Sequence, residues 1–253
     1  GGGRDIRLRV GGSASAGGGG DGISTQQQSS SVTAKKHTGG GGGAGGFAED
    51  GNNNVIGGSG GSGIVIFYEG QSAVPTSSEY PPSAMTGNSS GGYTTSASST
   101  NHATTFQIWK VHNKTIGDEG WHGNSSEYSS STRNYTGSFS TTYDGSSTVS
   151  GEWIQLQVPT AITITKIQIA PRNGASDYES RCAGDGRILG SNNGSTWSDI
   201  GTFTGKTYSL GNYTDITVTT STSYTYFRIV ITKLSGNSGQ TTVNLGEIKY
   251  FGY

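Results

Sequence analysis

Gly151-Glu-Trp-Ile-Gln-Leu-Gln-Val-Pro159 is the stretch whose reading decides the fold. Apolar and polar residues alternate along it at period two and Pro159 punctuates it, which is the pattern of a half-buried antiparallel strand. Three later segments repeat the signature: Ile167-Gln-Ile-Ala-Pro-Arg172, Ile188-Leu-Gly-Ser-Asn-Asn-Gly-Ser-Thr-Trp197 and Leu245-Gly-Glu-Ile-Lys-Tyr-Phe-Gly252. Each carries a Pro, a Gly or an Asn-Gly turn, so the chain reads as an all-β sandwich.

Working outward, the alternation predicts strands near 106–111, 152–158, 163–171, 186–191, 196–203, 215–220, 224–234 and 243–252. Asn192-Asn193-Gly194 is a hairpin signal, because Asn and Gly tolerate positive φ. In the strand from Tyr224, one face carries Tyr224, Tyr226, Arg228, Val230 and Thr232, and the other carries Phe227, Ile229 and Ile231. The second face is the core face. Trp153 and Trp197, embedded in strands, read as core rather than as a ligand platform.

Composition divides the chain. Of 45 glycines, 23 fall within the first 63 positions, a density that leaves little side chain to bury and costs the most backbone entropy to order. The expected organisation is therefore 1–70 glycine-rich, 71–103 a Ser/Thr/Pro-rich connector, and 104–253 a sandwich of comfortable single-domain size. Within the first part, Asp5–Val10 and Ser31–Lys36 read as strands, and Gly63–Gly70 as a strand apolar enough to be buried on both faces. Glycine runs at 17–22, 39–46 and 57–63 separate them, forming either packed extended helices or a flexible linker. The chain opens at Gly1 without Met, so a start after processing or truncation is expected.

Charged residues make up 13% of the chain and the formal net charge is -1, which offers no electrostatic footprint for nucleic acid or an acidic membrane surface. No apolar run reaches the ~20 residues that span a bilayer. With Cys182 alone, no intrachain disulfide forms and the redox compartment stays open. Neither a Gly-x-Ser-x-Gly elbow, nor His-Glu-x-x-His, nor a Cys/His cluster at metal spacing occurs, and the four histidines flank no nucleophile, so no enzymatic activity is expected.

The four segments quoted above, in their order, resemble the discoidin or coagulation-factor type C family, an eight-stranded jelly roll of the galactose-binding type. The resemblance implies recognition of glycans or other surface ligands by loops at one end of the sandwich. Long loops over 121–150 and 173–185 have room for this and supply Trp121, His122, Arg133, Tyr135, Arg172, Tyr178 and Arg181. Aromatic faces stack on sugar rings while Arg and His donate to hydroxyls; Arg172 has a structural ion pair as its alternative role. Trp109-Lys-Val-His-Asn-Lys-Thr-Ile-Gly-Asp-Glu-Gly-Trp121 looks like the family's first-strand motif, whose turn, with a Glu near the last strand, implies a structural calcium. Carried across, its ligands are Asn113, Asp118 and Glu247, although Asn113 stands where the family has Asp. Solvated turn residues are the other reading of Asp118 and Glu119.

The glycine runs ending in Gly-Ser-Gly-Gly-Ser-Gly-Ile-Val-Ile resemble glycine-rich domains of phage tail adhesins and of structural proteins of large algal viruses. Together the halves imply an extracellular or virion-surface fibre or capsid-associated protein, homo-oligomeric through its glycine-rich part, that attaches to a glycan or cell-surface ligand. The alternatives are a purely structural subunit and a carbohydrate-binding module of a larger cellular protein. Asn-x-Ser/Thr triplets at Asn88, Asn113, Asn124, Asn134, Asn193 and Asn212 are glycosylation acceptors if the chain passes through a eukaryotic secretory route.

Overall fold

A computed structural model describes residues 4–5, 10–11, 76–101, 104–236 and 239–253. The chain divides into two compact units, 1–73 and 74–253. In the first, β1 (Arg4–Asp5) pairs antiparallel with β2 (Val10–Gly11). The two ends of the segment expected as a single strand thus pair with each other. Ser31–Lys36, Gly63–Gly70 and the three glycine runs lie outside the described residues.

The second unit is built on two antiparallel sheets. The four-stranded sheet runs β13 (Thr214–Thr217), β10 (Ile164–Ala170), β16 (Glu247–Gly252), β3 (Ser78–Tyr80). The six-stranded sheet runs β12 (Ser198–Phe203), β11 (Ala183–Ser191), β14 (Tyr224–Leu234), β9 (Glu152–Ile162), β5 (Tyr93–Ala97), β4 (Ser89–Ser90). The all-β sandwich expected from the alternation is what the chain forms. Ile154 and Leu156 of β9, Ile188 of β11 and Phe227, Ile229 and Ile231 of β14 meet Ile167 and Ile169 of β10, Ile216 of β13, and Ile248 and Tyr250 of β16 in one core. Each fully buried Ile, Leu or Phe contributes about 1.5–3 kcal/mol, so the inner faces hold the layers together.

Two expectations are corrected. Phe106–Val111 is not a strand: Ile108–His112 forms a 3-10 helix, which sets Ile108 and Val111 one turn apart on the side that packs against the core. The Ser/Thr/Pro-rich stretch expected as a connector contributes β3, β4 and β5, with Thr94–Ala97 paired to Ile154–Gln157 and Met85 buried. Trp153 and Trp197 pack in an apolar cluster as expected, Trp197 buried and Trp153 half-buried against it, although this cluster is separate from the main core. They pack with Leu189 and Val230 on the outer face of the six-stranded sheet, together with Tyr143 and Val149 from the hairpin β7 (Ser140–Tyr143) and β8 (Ser147–Ser150).

Only Thr163 separates β9 from β10, so the chain turns there at one end of the sandwich. The start of β9, the end of β10, the start of β16 and the end of β14 consequently share the opposite end. The long connections gather at that end, near the short pair β6 (Trp121–His122) and β15 (Asn244–Leu245).

Candidate functional site

At the loop end, a ladder of alternating rings and cations runs through four of the residues expected to contact ligand. Phe106 and His122 stack with centroids 5.2 Å apart. The Arg172 guanidinium lies 4.2 Å from the Phe106 ring and 4.3 Å from the Tyr178 ring, and the Arg181 guanidinium lies 5.6 Å from the Tyr178 ring. Arg172 leaves β10 through Pro171, while Tyr178 and Arg181 sit on the 3-10 turn Tyr178–Arg181, so two loops converge. Arg172 donates from Nε to the Asp118 carbonyl at 2.8 Å and from a terminal nitrogen to Asp118 Oδ1 at 2.7 Å. This bidentate grip ties the 113–120 turn to the end of β10. Arg181 is held by Asp177, with Nε to Oδ2 at 3.1 Å. Arg172 is 2% exposed, whereas His122, Tyr178 and Arg181 are half-buried and keep outward surface.

Arg172 therefore orders the ladder, in the structural ion pair foreseen as its alternative role, and its neighbours face solvent. Trp121 is corrected: it is fully buried, its indole donating to the Ser99 carbonyl at 2.8 Å, because β6 points it into the core. Arg133 and Tyr135 belong to a separate loop anchored on β14. Arg133 adopts φ 64° with its carbonyl accepting from Leu234 N, and the Tyr135 ring stands edge-on to Tyr128 at 5.3 Å. Burial pushes the Tyr135 phenol up to about 12, and its oxygen accepts from Phe139 N. Phe106 was missed as a site residue because it was read into a strand; the three-residue spacing of Ile108 and Val111 was the available signal.

The three calcium candidates separate. Glu247, at the start of β16, is fully buried, its carboxylate facing the backbone amides of Lys114 and Thr115. Burial raises its carboxyl to about 8 against the opposing pull of the Lys114 and Thr115 amides and the Lys114 and Lys249 charges. Asn113 Oδ1 accepts from Thr115 N at 2.8 Å, so the Asn113 turn stands beside that carboxylate. Asp118 is committed to Arg172. Among the described residues no three His, Cys, Asp or Glu side chains gather as a metal-binding group.

A second buried carboxylate, Glu152 at the start of β9, takes bonds from the Ser99 hydroxyl and from Asn124 N, the latter at 2.8 Å, while its other oxygen has no partner. Burial raises it to about 7. Of the glycosylation candidates, Asn88, Asn134, Asn193 and Asn212 are exposed, whereas Asn113 and Asn124 are half-buried. Among the described residues no helix is long and apolar enough to cross a membrane.

A family model described as F5/8 type C domain matches residues 94–247. No curated protein matches the chain. Among solved structures it is similar to the family 32 carbohydrate-binding module of C. perfringens NanJ in complex with galactose, with 14% identity, TM-score 0.42, and 63% of this chain and 93% of that one covered. CpGH89CBM32-5 from Clostridium perfringens, in complex with GalNAc-β-1,3-galactose, shows 13% identity, TM-score 0.42, and coverage of 63% and 95%. The C-terminal domain of a chitobiase from Bacteroides fragilis shows 17% identity, TM-score 0.44, and coverage of 64% and 95%. These are likenesses of fold.

Proposed function

We propose, from the premise that this chain belongs to the F5/8 type C domain family, that it is a non-enzymatic glycan-binding protein whose loop end carries the binding surface. The observation that supports this reading is the ladder itself, which leaves Tyr178, Arg181 and His122 half-exposed on a base that Arg172 holds rigid. A ring face beside cationic donors suits the two sides of a sugar, apolar C–H and hydroxyl. A preordered site of this kind loses little entropy on binding. The test is a glycan-array screen of the full chain, displayed multivalently so that weak single-site affinity is amplified. Selective, competable binding that weakens about tenfold or more in Tyr178→Ala or Arg181→Ala, with the thermal midpoint unchanged, supports the site. A blank from the folded chain turns the reading to a purely structural subunit.

The finer reading is that the glycine-rich part oligomerises and displays the sandwich outside the cell or on a virion surface for attachment. Its support is compositional: a segment with 23 glycines in 63 residues has little side chain from which to build its own core and gains by packing against copies. Light scattering on the full chain tests it, with a multiple of the 26.0 kDa chain mass expected. The family match is confined to 94–247, which equally suits a binding module of a larger protein; the sequence adjoining Gly1 separates the two.

A structural calcium would suit the buried Glu247 carboxylate, with Asn113 and carbonyls of its turn as further oxygen ligands. Calcium would tie the first turn to the last strand and supply no catalytic chemistry. Asp118 has no part in this set.

A further inference from the structure

We propose that the chain carries a second sugar site, a cleft on the flank of the sandwich that takes a neutral hexose or N-acetylhexosamine. The cleft has a volume of about 500 Å³ and is lined by Thr86, Gly87, Asn88, Thr100, Gln107, Ile108 and Trp109. Ligand pockets generally fall between ~300 and ~1,000 Å³, so a sugar ring or two fits. The chemistry of the walls defines the ligand class. One indole offers an apolar face, two amides and two hydroxyls offer donors and acceptors, and among the described residues no charged side chain lines the space. Acidic sugars would find no counter-charge there, and an apolar ligand would leave the amides without partners.

The walls are held in place rather than assembled from loose side chains. Trp109 Nε1 donates to Gln107 Oε1 at 2.7 Å, which fixes the indole and leaves the Gln107 amide nitrogen to donate outward. Met85 N donates to the His112 carbonyl at 2.9 Å, and Thr95 N donates to the Asn88 carbonyl at 2.8 Å. These two bonds clamp the 85–88 segment between the 3-10 helix Ile108–His112 and β5. Thr86, Gly87 and Asn88 lie upstream of residue 94, where the family match begins. The cleft shares no residue with the loop-end ladder and stands independently of the proposed site there.

Gly87 supplies a way to close it. A Cβ built at Gly87 meets nothing nearer than the Ser89 carbonyl at 3.8 Å, and its φ is outside the left-handed region. Gly87→Phe should therefore fold and occlude the cleft while leaving the Trp109 side chain in the sequence as the reporter. The experiment follows the indole N–H signals of the full chain by NMR, assigned with Trp109→Phe, during titration with galactose, N-acetylgalactosamine, glucose and N-acetylglucosamine. The protein is produced in a host that does not N-glycosylate, so Asn88 stays bare. The expected result is a saturable shift of the Trp109 indole with at least one sugar, abolished in Gly87→Phe and retained in Tyr178→Ala. Absence of any Trp109 shift with all four sugars overturns the proposal, as does a shift that survives Gly87→Phe. Loss of a shift in Tyr178→Ala would assign the binding to the loop end and overturn the second site while leaving the first intact.

Discussion

Two buried glutamates show how far a residue's role can be read without its neighbours. Glu247 was legible in sequence as a metal candidate, and the fold buries its carboxylate at the start of β16. Asp118 was not separable from it in sequence, because its partner Arg172 lies 54 residues away and only folding brings the two together. Trp121 was misassigned for the same reason: a Trp beside a loop reads identically whether it points in or out. If calcium sits at Glu247, chelation should lower the thermal midpoint by several degrees, calcium should restore it, and Glu247→Gln should abolish both effects. Equal midpoints in chelator and calcium would remove the metal from the account.

Glu152 makes a pH prediction whose sign follows from its environment. Glu127, Tyr128 and Tyr135 surround it, and burial raises its carboxyl from 4.5 to about 7. A folded-state value above the unfolded one means the folded chain binds the extra proton, so this group's contribution is fully present below about pH 4.5 and is lost as pH rises through about 7. Unfolding midpoints measured in calcium between pH 5 and 8 should fall with pH, and Glu152→Gln should flatten that slope. A parallel slope in the variant would show that another group sets it.

At the scale of elements, period-two alternation exposed the long strands because each has one face on the core. It missed β3, β4 and β6, whose two or three residues are too short for a period to declare itself. It also missed the β7–β8 hairpin, made largely of Ser and Thr. That hairpin is held by chemistry that alternation does not register. Arg228 lies 3.8 Å from the Trp153 ring and 4.1 Å from the Trp197 ring, and it donates to Gln155 Oε1 at 2.8 Å and to Thr141 Oγ1 at 3.0 Å. Burial lowers its guanidinium to about 10, which leaves it charged at neutral pH. Arg228→Ala should cost about 2 kcal/mol, or roughly 4–8 °C, through two lost cation–π contacts and stranded acceptors. Arg228→Lys should not restore it, since an ammonium cannot fill a planar slot between two indoles. Thermal unfolding of both variants decides the point.

At the scale of the molecule, the sandwich extends upstream of where composition changes. Polar, Pro-bearing sequence at 76–101 looked unable to bury anything, yet its backbone completes both sheets while few of its side chains enter the core. β5 pairs with β9 through Thr94–Ala97, β3 pairs with β16 through Ser78–Tyr80, and Met85 and Tyr93 are buried. Hydrophobicity reports side-chain burial and is silent about backbone hydrogen bonding, which is why a Ser/Thr strand escaped notice. A chain begun at Thr104 would leave β9 and β16 as unpaired edges in front of a stripped core, a template for aggregation. A chain begun at Val74 keeps every one of those pairs. Urea unfolding of the two truncations should give a single cooperative transition for the Val74 start and a much lower midpoint or insolubility for the Thr104 start. Equal midpoints would mean that the upstream strands merely decorate the sandwich, and the flank cleft with its Thr86–Asn88 wall would then be a dispensable attachment.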